Sequence, residues 1–456
     1  MKSNKIVIRR LLVSGILLAL IGSGPTMGTP VQAYGLSTLV AAKVIPVPSL
    51  PSFDLNPLKL AGKILGLVKD SDKDVKSGKK VDSNYKFKAT KIVNGGQIIK
   101  KTVNNSDADK NTGLVQKKGK ATIKGATITK MGNASSLEKS LGRGQNAAIL
   151  VAPYSKAELK NTTISTNGTG ASGLVASGKE SEVKGNDVHI KTNGMYSRGI
   201  NVAYKGKATL KGGDVQTSGK YSPALAIDRE EGELVVSQMN LVTLGDVSPL
   251  VYSTDEVALL NVTGQSQSAL AMLEGASEMD VKSSNLQSRE GVVIYQSESG
   301  LAKSGTGKLT MQGGSWQMSG TGPLLTVQNT KAQVTLSGVS VAMPNSQVLV
   351  NVSQGQWGAS SGRGRELTLR AVGETLNGHI VADGASKVQV RLENSTLTGA
   401  INEGNEAKAV EVYIGKGSTW NVTADSYVTK LVNDDQTNSN IHTNGHTVTI
   451  GKTVLK

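Results

Sequence analysis

The chain of 456 residues carries 51 Lys and Arg against 35 Asp and Glu, a formal charge of +16, with 53 Gly, 3 Trp, 2 Phe and no Cys. Its 38% hydrophobic residues suffice for a large core and exclude wholesale disorder, while the shortage of large aromatics points to thin, repetitive layers. The absence of Cys excludes disulfide frameworks, Cys-ligated zinc and thiol nucleophiles.

Residues 1–33 have the three parts of a secretory signal. Lys2, Lys5, Arg9 and Arg10 precede the apolar run 11–21, and Val31-Gln32-Ala33 offers a small-residue cleavage site, so cleavage is expected between Ala33 and Tyr34. No later stretch reaches the roughly 18 apolar residues of a membrane helix. The expected mature protein is exported and has no membrane span.

Residues 34–85 read as a Pro-rich and Lys-rich linker or cap. Pro46, Pro48 and Pro51 disfavour helix. Beyond them Asn56-Pro57 opens a short amphipathic segment with Leu58, Ala61, Ile64, Leu65 and Val68 on one stripe. A cap on the open end of a β-structure is the expectation, with membrane-surface binding as the alternative. Charge concentrates here: residues 59–130 hold 18 Lys and 6 Asp, whereas residues 131–456 hold 28 cations and 28 anions. Lys76, Lys79, Lys80, Lys117, Lys118 and Lys120 are therefore candidates for contact with an anionic partner such as a heparin-like glycan, the alternative being a solvated charge run. No stacking aromatics are interleaved before Tyr85 and Phe87, so a nucleic-acid partner is not expected.

Residues 86–407 repeat a unit of alternating apolar and polar residues, a Gly/Asn/Ser turn and a second short run. Lys120-Ala-Thr-Ile-Lys-Gly-Ala-Thr-Ile-Thr129 returns as Lys156-Ala-Glu-Leu-Lys-Asn-Thr-Thr-Ile-Ser165 and as Lys207-Ala-Thr-Leu-Lys-Gly-Gly-Asp-Val-Gln216. Leu159, Val183 and Leu210 stand at equivalent places 24 and 27 residues apart. A period of about 25 residues with two or three strands and no helical stretch predicts an all-β fold, a solenoid of β-coils. About 13 coils at about 4.8 Å each make a rod roughly 60 Å long, with inward ladders of small aliphatics that explain the aromatic shortage. Exposed edges at both ends call for caps.

Residues 408–456 supply a more specific pattern. Ser418, Trp420, Val422, Ser426, Val428 and Leu431 form Ser-x-Trp-x-Val-x-x-x-Ser-x-Val-x-x-Leu, followed by His446-Thr-Val-Thr-Ile450. This resembles the end of pertactin-like and AIDA-like autotransporter passenger domains. The resemblance implies a right-handed parallel β-helix whose C-terminal part is a stable core motif, with Trp420 as a structural anchor. It also implies export through a second membrane in an unfolded state, which a Cys-free chain suits. Family members continue into a membrane β-barrel of alternating strands about 10 residues long; this sequence reaches Lys456 without one, so cell surface, medium and periplasm all remain open as destinations.

The β-helix also hosts polysaccharide lyases and hydrolases, which need carboxylates gathered on one strand face. The paired acids are Glu230-Glu231 and Asp434-Asp435, both in turn-like contexts. His442 and His446 are separated by a turn, not by a helix that would make them a metal pair. No serine-nucleophile or phosphate-loop motif occurs, so no catalytic residue, metal or cofactor is expected. Arg363 and Arg365, in Ser360-Ser-Gly-Arg-Gly-Arg, form a loop that suits acidic partners or is an ordinary insertion. The expectation is a non-catalytic adhesin or virulence factor that binds host surface glycans, matrix or receptors. Two alternatives stand: a released soluble ligand for a host receptor, tethered by its basic N-terminal part, and a β-helix polysaccharide lyase or hydrolase.

Overall fold

The computed structural model describes residues 86–229, 231–297, 301–355 and 365–456. The expected signal with Ala33 and Tyr34, the linker or cap, Lys76, Lys79, Lys80, Glu230 and Arg363 lie outside these residues. Within them the chain is all β and mostly parallel, a solenoid of about 14 turns, as the repeat period predicts. The expected count of about 13 coils is close to this number.

Each turn feeds three ladders of parallel strands, here A, B and C. Ladder A runs in register from Gly95–Ile99 through Lys120–Lys124 and the first halves of Lys156–Thr166, Glu182–Thr192 and Lys207–Thr217, on to Lys430–Asn433. Alternation decides its faces. Ile123, Leu159 and Leu210 point inward and are buried, whereas the residues between them face solvent. The passage from A to B turns on one left-handed residue, or on a glycine pair as at Gly212-Gly213 and Gly313-Gly314, so an 11-residue strand such as Lys156–Thr166 bends without a loop. Asn161, Asp187, Asn261 and Asn394 occupy this position with φ of 47°, 56°, 52° and 48°. Asn and Asp tolerate that region better than other side chains, which accounts for their recurrence and for Asn-x-Thr at 161 and 261.

The turn from B to C is built from stacked hydroxyls. The Ser197 N–H donates to Ser222 Oγ at 2.9 Å and the Ser222 N–H to Ser248 Oγ at 2.9 Å. In return Ser222 Oγ donates to the Gly194 carbonyl at 3.0 Å and Ser248 Oγ to the Gly219 carbonyl at 2.9 Å. These buried serines satisfy backbone groups that a coil without water inside would leave unpaired. The glycines stack too: a Cβ on Gly219 would overlap the Gly194 carbonyl oxygen, so the approach of successive turns excludes any side chain there.

Ladder C departs from alternation. Its outward column Leu114, Leu150, Val175, Asn201, Ala226, Tyr252, Met272 and Val293 is buried as completely as the inward one. Near its start the cover is an insertion: residues 131–148 separate Thr127–Lys130 from Ile149–Val151, and they include the helical turn Lys139–Arg143. Asn201 Nδ2 donates to the Leu141 carbonyl at 2.8 Å and Ser177 Oγ to the Gly142 carbonyl at 2.9 Å, holding this strap against the ladder. Phe87, Ala147 and Ala152 complete an apolar cluster with Leu114, Leu150 and Val175. The repeat pattern implied no helical stretch, and this one turn falls in the insertion, outside the repeated unit.

At the far end ladder B continues as Thr375–Asn377, Thr396–Thr398, Thr419–Asn421 and Ile441–His442. Beyond Val448–Ile450 the strand Thr453–Leu455 turns back antiparallel. That reversal ends the parallel stack, since the last strand pairs with its own neighbour and offers no further parallel register.

Candidate binding face

The outward face of ladder A is flat, polar and in register over many turns. In turns two to five its first column is Lys120, Lys156, Glu182 and Lys207, its middle column Thr122, Glu158, Lys184 and Thr209, and its third column Lys124, Lys160, Asn186 and Lys211. Seven lysines thus face solvent against two glutamates. Four pairings tie up part of that charge: Lys156 to Glu182 at 2.5 Å, Lys184 to Glu182 at 3.2 Å, Lys160 to Glu158 at 2.9 Å and Lys207 to Glu233 of the next turn at 2.5 Å. Lys120, Lys124 and Lys211 make no ion pair among the described residues, and neither do Lys117 and Lys118, exposed in the left-handed turn (φ 57° each) that leads onto the face. From turn six the sign reverses, with Glu233, Glu256 and Glu278 succeeding Lys207 in the first column and Asp280 beside them.

The sequence-derived candidates divide between two places. Lys117, Lys118 and Lys120 stand together at the start of this face. Arg365 lies far along the rod at the start of the strand Arg365–Val372, with its side chain only 13% exposed and Nε 3.5 Å from Asp383 Oδ1. It is turned into the strand stack, which sets it apart from the freely exposed loop cation that the Arg-Gly-Arg sequence suggests.

The C-terminal motif residues lie in and around the core. Ser418, Trp420, Val422, Ser426 and Val428 are buried, and Leu431 is partly buried against the same cluster. Trp420 sits in register between Leu397 and Ile441, and its indole N–H donates to the Gly399 carbonyl at 2.9 Å. Ser418 Oγ accepts from the Ser395 N–H and Ser426 Oγ from the Ile401 N–H, each at 3.1 Å, the same hydroxyl-to-backbone device that orders the earlier turns.

The paired acids serve turns. Asp435 accepts from the N–H and hydroxyl of Thr437 and from Ser439 Oγ, and these hydrogen bonds hold its carboxyl well below the usual carboxylate range. Asp434 accepts from the Lys416 N–H at 2.9 Å, and Glu231 pairs with Lys205. His442 and His446 flank the turn around Asn444, as their spacing suggests. Among the described residues no three His, Asp or Glu side chains are gathered closely enough to hold a metal ion.

His189 stands on the outer surface between two carboxylates. Its Nδ1 pairs with Asp214 Oδ1, the in-register residue of the next turn, and its Nε2 lies 3.2 Å from Asp187 Oδ1. The Asp214 hydrogen bond, aided by both negative charges, raises the imidazole above its ordinary value. A raised base stabilises the fold fully below the ordinary His pKa of about 6.5, and that contribution disappears as pH rises through the elevated folded value. Melting temperature measured from pH 6 upward is expected to decline through this window in the native chain, and the His189→Gln variant should lack that component; equal profiles would remove His189 from the account.

Sequence reasoning missed a buried charged network on ladder C. Asp228, fully buried, pairs with Arg198 Nη2 at 2.7 Å and with Arg229 Nη1. Burial alone would push the Asp228 carboxyl up, but the charges of Arg229 and Arg198 outweigh it and hold the group below the usual carboxylate range. Arg198 also donates to Asn201 Oδ1 at 2.8 Å and lies over the Tyr252 ring, 5.5 Å from its centre. Two turns further along the same ladder, Glu274 accepts from Tyr252 and Tyr295 hydroxyls at 3.1 and 3.2 Å and from Ser297. The available signal was the short unbroken apolar run just before Asp228 in Leu225–Asp228, repeated at 269–273 before Glu274 and at 291–295, which marks a strand buried on both faces and makes a charge at its end an interior one.

Among curated proteins the chain is similar to the BrkA autotransporter of Bordetella pertussis (strain Tohama I), 23% identical over 323 residues. The similarity covers 68% of this chain and 29% of that protein, so the chain spans less than a third of the relative it matches. No family model matches the chain. No solved structure matches it either. The solenoid and the similarity together fit an autotransporter-passenger-like β-helix.

Proposed function

We propose that this chain is an exported passenger-type rod that acts by binding, as an adhesin or related virulence factor directed at host surface glycans or receptors, and that it carries out no catalysis. The observation that carries this reading is the outward face of ladder A. Successive turns hold its side chains in fixed register, so it offers a long rigid array of shallow polar contacts. Such an array favours many weak contacts whose entropy cost is already met by the scaffold. The similarity to an autotransporter supports export, and the acids and histidines that chemistry would need are spread among turns and ion pairs. The test uses the full chain: saturable binding to cultured host cells is expected, with no shortening of polysaccharides incubated with it. Absence of saturable binding, or release of new chain ends from any polysaccharide, overturns the reading.

A further inference from the structure

We infer that turns two to five of ladder A form a track for one linear polyanionic polysaccharide, lying parallel to the rod axis along the column of Lys124, Lys160 and Lys211. The inference rests on the binding reading above and adds the ligand class, its position and its direction.

The direction follows from the columns. The third column contains no acidic residue over these turns, only Lys124, Lys160, Asn186 and Lys211. A polymer lying along it meets a lysine in three of four turns, at a pitch of about 4.8 Å per turn. A polymer lying across the face at the fourth turn would meet Glu182 before Lys184 and gain no net charge. Length is bounded as well. Turn one presents Gly95, Gln97 and Ile99 on this face, and turn six begins the acidic series with Glu233, so the basic track covers four turns, about 15 Å from the first to the last.

The polymer class follows from what the face lacks. Outward positions of turns two to five hold Lys, Glu, Thr and Asn, with no ring on which a nucleobase would stack. The nearest tyrosines, Tyr154 and Tyr204, stand in the turns at its edge and are already covered by Lys179 and Arg229 at 5.9 Å each. Flexible, hydrated ammonium groups on a flat surface suit sulfate and carboxylate groups spaced along a sugar chain, which need point charges and no planar fork. The ion pairs already present are exposed and weakly held, so a bound polyanion exchanges with Glu158 and Glu182 at little cost.

The experiment compares the full chain with a variant carrying Lys→Gln at 120, 124, 160 and 211, and with a control carrying Lys→Gln at the exposed positions 282, 387, 416 and 452. Immobilised heparin is the probe, with single-stranded DNA and dextran as competitors. The track variant is expected to lose at least about tenfold in affinity at physiological salt, with a salt slope shallower by roughly three. The control and the circular dichroism of both variants should match the native chain. The inference is overturned if the track variant is retained as the native chain is, if the control loses as much, or if single-stranded DNA competes as well as free heparin. A parallel host-cell assay separates the two readings. Native chain that binds no cells while heparin retention depends on the track removes the adhesin reading alone; native chain that binds cells while the track variant keeps native heparin retention removes the track alone.

Discussion

Asp228→Ala is expected to destabilise the rod by about 3–5 kcal/mol, the range observed when one partner of a buried ion pair is removed. The cost comes from what remains. Arg198, 2% exposed, would keep its guanidinium over Tyr252 and against Asn201 with no counter-charge, and Arg229 would lose its carboxylate while still donating to Tyr204 at 3.2 Å. Because Asn201 in turn holds the Leu141 carbonyl, the loss is expected to reach the strap at 131–148. Urea denaturation gives the magnitude, and limited proteolysis should show the strap cut before the strands. Asp228→Asn retains shape and removes charge, so an intermediate loss is expected. In the native chain Asp228 ionisation is favoured by folding; its stabilisation is present above the ordinary carboxylate pKa and lost as pH falls through the depressed folded value. The alanine variant should therefore show a flatter acid limb, and a loss below about 1 kcal/mol would mean the arginines find water.

Trp420→Ala is expected to cost about 3–5 kcal/mol as well, by a different route. No part of the Trp420 side chain reaches solvent, and it fills the width of the coil between Leu397 and Ile441. Removing it opens a cavity that the stacked turns close only by breaking register, and it leaves the Gly399 carbonyl without its indole donor. Trp420→Phe keeps most of the volume and should cost less than half as much. Since each turn touches only its neighbours, the damage should be local. Amide exchange is expected to quicken in the residues from 396 onward and to stay unchanged in turns two to five, where the lysine face lies. Uniform acceleration along the whole rod would instead show that the C-terminal turns hold the rest in place.

The solenoid was legible because every turn repeats the same three demands. An inward column requires aliphatics every second residue, the bend from A to B requires a left-handed residue, and the tight B-to-C turn requires Gly and Ser. Each leaves a mark at fixed spacing, as in Lys120–Thr129 and Lys156–Ser165. Trp420 was legible by another route, the resemblance of the 418–431 pattern to passenger-domain ends; Trp316, equally buried and donating to Ser288 Oγ at 3.2 Å, carries no such pattern and was not singled out.

The local sequence also determines that positive charge gathers toward the N-terminal side, since charge can be counted without coordinates. It does not determine which lysines stand together. Lys124, Lys160 and Lys211 are separated by dozens of residues and become one column only when the turns stack in register, a property of hydrogen bonds between turns. The Arg198–Asp228–Arg229 network was only half legible for the same reason: the apolar run ahead of Asp228 marks a buried strand but does not name its partners. Its residues look like ordinary turn charges until the strap and the neighbouring strands remove them from water, and only the tertiary structure decides which side of a strand is outside.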